Sequence, residues 1–204
     1  MAPLHHPYDD TLARHATGRL GAGPSLVVAT HLSACAECRS RFGLFEAADG
    51  ALLEETPAAP VRRDVFAAAL RRIEATAERA PAPARSPLAR IAMPSWRGLG
   101  AGFKWRRLRL PEAPDAKVLM VKVAPGRTLP PHAHLGAEYT QVLQGAFHDE
   151  FGHYATGDFT EADEDVEHQP VVDGAADCVC LVAIDGRLRL KGWRARLLQP
   201  LIGL

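Results

Sequence analysis

Residues 27–42 read VVATHLSACAECRSRF and set His31, Cys35 and Cys38 four and then three positions apart. On one continuous helix, positions i, i+4 and i+7 lie within roughly 60° of each other, so an imidazole and two thiols converge on one side. That donor set suits tetrahedral zinc, which takes a fourth protein ligand where the site is structural. The other histidines before residue 132 are His5, His6 and His15, and no further cysteine precedes it; spacing leaves the three histidines open as fourth ligand. Cysteines packed as small apolar residues around a core histidine are the plain alternative, and the histidine on the same face favours the metal. A redox Cys-x2-Cys pair ordinarily opens a helix after a strand, whereas these residues are expected in mid-helix.

A second group of donors follows in GRTLPPHAHLGAEYTQVLQG, residues 126–145. His132 and His134 are two apart and face one way on a strand. Glu138 follows after a short turn, and the distant His168 can return on a neighbouring strand. Three imidazoles and a carboxylate accept zinc, iron, manganese, nickel or copper, so the donors alone do not select the ion. Cys178 and Cys180 also share a strand face, about 6.6 Å apart along it, which suits neither a relaxed disulfide nor a metal site; core packing is expected, with redox sensing as the alternative. The six acids between Asp158 and Glu167 read as a solvated loop bordering the strands, and His148 and His153 as surface residues. KWRRLRL, residues 104–110, reads as a strand with a basic outer face rather than a nucleic-acid contact.

The elements that must carry these residues fall into two halves. Up to about residue 80 the apolar spacing is helical. Asp9 or Asp10 can cap a first helix that stops at Gly21 and Gly23, Pro24 opens a long helix through about Asp49, and Asp64 caps a third with Phe66, Leu70, Ile73 and Ala77 on one face. APAPARSP, residues 80–87, then forbids a regular helix and marks an extended linker. Beyond it, FKWRRLRL, KVLMVKV, YTQVLQGAF, CVCLVAI and RLRLKGW alternate with turn signals, the pattern of an antiparallel sandwich or barrel. The expected organisation is a helical unit at 1–80, a linker at 81–95 and a barrel at 96–204. The composition, 47% hydrophobic with 24 basic and 24 acidic residues, is globular and provides no net field toward nucleic acid or an anionic membrane. No secretory start or spanning apolar run is expected. Two close cysteine pairs without an export signal favour reduced thiols or metal ligation over a disulfide framework, and a cytoplasmic protein is expected.

Two motifs resemble known families. His6 followed by HLSACAEC resembles the signature of the zinc-binding anti-sigma domain, which implies His6 as the fourth ligand beside His31, Cys35 and Cys38; His5 is its neighbour. Gly126-x5-His132-x-His134-x3-Glu138-x6-Gly145 resembles the first cupin motif. The second cupin motif is matched more loosely by Gly157 and His168, with Ala155 in the place of its usual proline. The order of the two is similar to that of ChrR-type anti-sigma factors, and SLVVATHLSACAECR, EET, VLQGAFHDE and CVCLVA extend the similarity beyond the ligands.

The resemblance implies an α + β protein of two domains, a small zinc-stabilised helical bundle followed by an antiparallel cupin barrel. It implies a non-enzymatic role: binding one extracytoplasmic-function (group IV) sigma factor as a 1:1 heterodimer and withholding it from RNA polymerase. The barrel, holding zinc or another divalent transition metal, would receive an oxidative signal such as singlet oxygen and release the partner, without direct contact to nucleic acid or membrane. A metal-dependent cupin enzyme, a dioxygenase or isomerase with a helical appendage, is the reading of another class.

Overall fold

The computed structural model describes residues 2–77 and 86–190. An extended arm, residues 2–8, leads into helix α1 (Asp9–Ala16), then α2 (Ala22–Ala34), α3 (Ala36–Glu54) and α4 (Val65–Ala77). A 3-10 turn at Pro87–Arg90 precedes ten strands, β1 (Arg97–Gly100), β2 (Phe103–Leu110), β3 (Ala113–Val123), β4 (His132–Gln144), β5 (Ala146–His148), β6 (His153–Ala155), β7 (Phe159–Ala162), β8 (Glu167–His168), β9 (Val171–Asp173) and β10 (Cys178–Leu190). The strands form two antiparallel sheets, one in the order β1-β2-β3-β10-β4-β7 with β8 also paired to β4, the other in the order β6-β5-β9. This is the expected strand-rich half. CVCLVAI and RLRL, expected as separate strands, run on as the single strand β10, and the rest of RLRLKGW lies outside the described residues.

The helices differ from the sequence expectation in their ends. Asp9 and Asp10 sit inside the first turn of α1 rather than capping it, because Tyr8 occupies the N-cap position without a side-chain bond. Carboxylates there still face the positive end of the helix dipole. The stop is Gly18, at φ 68°, and not Gly21 or Gly23; Gly23 belongs to α2, where an added Cβ would lie 3.0 Å from a Val118 methyl carbon. Pro24 stands within the first turn of α2, where its missing N–H costs nothing. The expected long helix is in fact two, divided at Cys35, whose backbone is extended (φ −97°, ψ 111°). Asp64 directly precedes α4, with its carboxylate on the Arg62 guanidinium. Of APAPARSP, residues 80–85 lie outside the described residues. Pro87–Arg90 form a 3-10 turn capped by Ser86 rather than an extended tether, and Leu88 and Ile91 pack on the core.

Helix α2 lies against β3, β4 and β10, so the outer face of the large sheet is covered. Strand period two sorts the residues. Val179, Leu181 and Ala183 of β10 join Leu12, Val27, Val28 and Leu32 in one core, while Cys178, Cys180, Val182 and Ile184 face the barrel interior. Burial on both faces explains why CVCLVAI is apolar throughout and not alternating. At residue 136 the backbones of β4 and β10 approach closely. Gly136 and Gly186 are register partners, both at φ 122°, and a Cβ on either would fall about 2 Å from the opposite strand's backbone oxygen. Glycine at this pair is a steric requirement.

Two candidate metal centres

Helix α2 ends at Ala34, and the single extended residue Cys35 starts α3 as its N-cap. Its sulfur accepts the backbone N–H of Cys38 at 3.4 Å. The break, and not one continuous helical face, brings His31, Cys35 and Cys38 together. It also means that the cysteine pair opens a helix, contrary to the mid-helix placement expected from sequence.

The arm supplies the fourth member. His6 Nδ1 lies 3.5 Å from Cys35 Sγ and 3.3 Å from Cys38 Sγ, and its Nε2 is 3.6 Å from Glu37. The neighbouring candidates are engaged elsewhere: the His5 ring sits 3.3 Å from Asp158 and against Tyr154, and the His15 ring packs against Phe42. One donor atom from each of His6, His31, Cys35 and Cys38 lies within 4.8 Å of every other. The edges of a tetrahedron with ordinary Zn–N and Zn–S bonds, about 3.3–3.8 Å, fall inside that span.

The chemistry of this set fits a cation. His31 is fully buried; its Nδ1 faces two acceptors, Gln141 Oε1 at 2.9 Å and the Gly157 carbonyl at 3.1 Å. That nitrogen therefore carries the proton. Nε2 keeps its lone pair and has no hydrogen-bond partner among the described residues. An orphaned buried acceptor costs about 1–3 kcal/mol, which a coordinated ion removes. Burial keeps the His31 pKa below its ordinary value, so the ring is neutral, as a ligand must be. Burial and the adjacent Cys35 push the Cys38 thiol up to about 12.

The second group is built almost entirely by β4. His132, His134 and Glu138 share its inner face, and β8 brings His168 into register with His132. These four also offer donor atoms within 4.8 Å of one another. His132 Nδ1 donates to the Pro130 carbonyl at 3.0 Å, and His168 Nδ1 to Asp149 at 2.9 Å. With both Nδ1 protons committed, the two Nε2 atoms, 2.9 Å apart, present lone pairs to each other. That arrangement is unfavourable until a proton or a metal ion lies between them. His134 Nε2 is 3.2 Å from Glu138 Oε2. Burial raises the Glu138 carboxyl, but the His134 hydrogen bond and the three imidazoles outweigh it and hold the pKa at about 2.

His132, Glu138 and His168 border a barrel cavity of about 530 Å³ whose other walls are mainly apolar. Cys178 and Cys180 line it as free thiols with sulfurs 3.7 Å apart. Among the acids, Asp163, Glu164, Asp165 and Glu167 are exposed as expected. Asp158 and Glu161 are not part of a solvated loop. Asp158 accepts the N–H groups of Leu4, His5 and Ala155, and Glu161 accepts from Tyr8 N–H and Thr11 Oγ1. The two acids hold the arm that carries His6. His148 and His153 are at the surface, facing Asp173.

Sequence reasoning passed over Gln141, Asp149 and Asp158. Gln141 left a trace, a polar residue inside the run YTQVL. Asp149 and Asp158 show their roles only once loops and arm are folded together.

A cupin-type barrel that holds one three-histidine, one-carboxylate group inside and a layer of helices with a two-histidine, two-cysteine group outside defines the class. A family model described as the ChrR cupin-like domain matches residues 86–185. The chain is 39% identical to the anti-sigma-E factor ChrR of Cereibacter sphaeroides, over 98% of both chains. The structure is similar to the ChrR chain in a crystal structure of Rhodobacter sphaeroides SigE in complex with the anti-sigma ChrR, at a TM-score of 0.76 and 38% identity, covering 89% of this chain and 98% of that one. This chain belongs to the ChrR family.

Proposed function

We propose that the chain is an anti-sigma factor that binds one extracytoplasmic-function sigma factor as a 1:1 heterodimer and withholds it from RNA polymerase. The observation that carries this reading, beside family membership, is the apolar surface of the helical half. Leu44, Leu52 and Leu53 of α3 and Val65, Phe66, Leu70 and Ile73 of α4 are all exposed. Phe66, Leu70 and Ile73 follow the i, i+4, i+7 spacing of one helix face. An exposed apolar helix face fits a helical partner, as in helix-in-groove recognition.

The partner-binding part is residues 1–80, the barrel 96–204, and 81–95 joins them. His6, His31, Cys35 and Cys38 hold zinc, whose role is structural: it draws the arm, α2 and α3 into one unit. His132, His134, Glu138 and His168 hold zinc or another divalent transition metal, and the barrel receives an oxidative signal, such as singlet oxygen, that releases the partner. Thiolates and imidazoles are oxidisable donors, which supports that part of the reading. The chain catalyses no reaction and works in the cytoplasm, a placement supported by its free thiols; among the described residues no helix is long and apolar enough to cross a membrane.

The test is titration of the metal-loaded full chain with a purified extracytoplasmic-function sigma factor from the same genome, followed by size exclusion and run-off transcription. A 1:1 complex that silences transcription is expected. Phe66→Asp combined with Leu70→Asp should weaken it about 100-fold, the loss expected of two buried anchors. A folded, metal-loaded chain that leaves transcription untouched at micromolar concentration would sink the proposal.

A further inference from the structure

We infer that Gln141, a residue of the barrel, is a positioning residue for the metal group of the helical half, so that the barrel completes that site. The inference rests on the proposed metal role of His6, His31, Cys35 and Cys38. Strand β4 has two occupied faces. His132, His134 and Glu138 point into the barrel, whereas Gln141 is nine-tenths or more buried on the side facing α2. Its Nε2 donates to the Val142 carbonyl at 3.2 Å, which fixes the amide so that Oε1 is presented to His31. Oε1 can only accept, so the His31 proton is held on Nδ1 and the Nε2 lone pair is left to the metal. The backbone carbonyl of Gly157, also from the barrel, supports the same tautomer.

A metal-bound imidazole whose second nitrogen is held by an acceptor is better oriented and more basic, and loss of that acceptor typically lowers metal affinity 10–100-fold. In this chain the acceptor lies 110 positions away in sequence, on the strand that carries three of the four donors of the other group. A shift of β4 on loading or loss of the barrel ion therefore reaches His31 through one hydrogen bond. The Asp158 clamp on Leu4 and His5 acts on His6 from the same barrel. By linkage the coupling is reciprocal: whatever the barrel ion does to affinity at the thiolate site, the thiolate-site ion does to the barrel.

The experiment loads the full chain with Co(II), whose thiolate charge-transfer band reports the Cys35/Cys38 site separately from the barrel group. Affinity is then read by competition with a chelator. Gln141→Leu keeps the volume and removes the acceptor; it should weaken the thiolate-site ion about tenfold and shift its d–d bands. Gln141→Glu, which restores an acceptor, should return the affinity to within threefold. The barrel ion, removed selectively by Glu138→Gln, should change the thiolate-site affinity in the wild-type chain and not in Gln141→Leu. Equal thiolate-site affinity in folded wild-type and Gln141→Leu protein would overturn the inference, as would failure of Gln141→Glu to rescue. Absence of any thiolate band in the wild-type chain would instead overturn the metal reading on which it stands.

Discussion

The two donor groups are made from similar residues in opposite ways. The barrel group is carried by one strand and its neighbour, and the sheet hydrogen bonds that set its geometry exist without any ion. The helical group is gathered from an arm, the end of α2, a one-residue break and the start of α3, and burial raises the Cys38 thiol, so that a cation there must displace its proton. The lesson is that the barrel group takes its geometry from the sheet, whereas the helical group depends on the Gln141 hydrogen bond, the Asp158 clamp and, under the proposed function, a bound ion.

The largest test of this contrast is Cys35→Ser combined with Cys38→Ser. Structural zinc contributes about 10 kcal/mol or more to small domains, so the change should abolish partner binding and reduce helical circular dichroism while leaving the barrel ion bound. Retained helicity with nanomolar partner affinity would mean that packing against the barrel suffices to organise the helices. A smaller effect is expected from Glu138→Ala. It should empty the barrel group and remove the response to oxidant, yet change partner affinity no more than about threefold, or roughly 0.7 kcal/mol, by isothermal titration. A partner affinity that fell with the barrel ion to the level of the cysteine variant would erase the distinction between the two sites.

The smallest effect concerns the clamp. Burial raises the Asp158 carboxyl, but hydrogen bonds from Ala155, Leu4 and His5 N–H and from the His5 ring outweigh it, so its pKa lies below the usual carboxylate range. A depressed folded-state pKa contributes stability that is present above the unfolded value and is lost as pH falls through the folded one. The arm should thus stay docked from neutral pH down to about pH 4 and release below it, seen as rapid amide exchange at Leu4 and His5. Asp158→Asn should lower the melting temperature by about 2–4 °C, corresponding to about 1 kcal/mol, and flatten that acid dependence.

Much of this was legible in the sequence because spacing carried it. The His-x-His pair on a strand and the alternating runs required only local periodicity; the His31/Cys35/Cys38 spacing named residues that do meet, but through a break and not the continuous helix that the spacing implied. The break at Cys35 was not legible: Ala34, Ala36 and Glu37 are good helix formers, and nothing in their propensities announces an extended residue between them. The reason lies in tertiary structure, in the position Cys35 takes opposite His6. Gln141 and Asp158 were hidden for a related cause. The partners that give them these roles, His31 for Gln141 and Leu4 and His5 for Asp158, lie more than 100 positions away, and a polar residue in a strand or an acid in a run of acids has no local feature that tells which donor it will meet.

The close approach of Gly136 and Gly186 has a consequence for fidelity of pairing. A strand that slips by one residue turns every side chain to the opposite face; on β4 that would expel the three barrel donors and draw Gln141 inward. Only glycine opposite glycine fits where the two backbones nearly touch, so a slipped β4 would meet a side chain there and be rejected. The pair acts as an indexing notch, and it stands between His134 and Glu138, where an error of alignment would do the most harm.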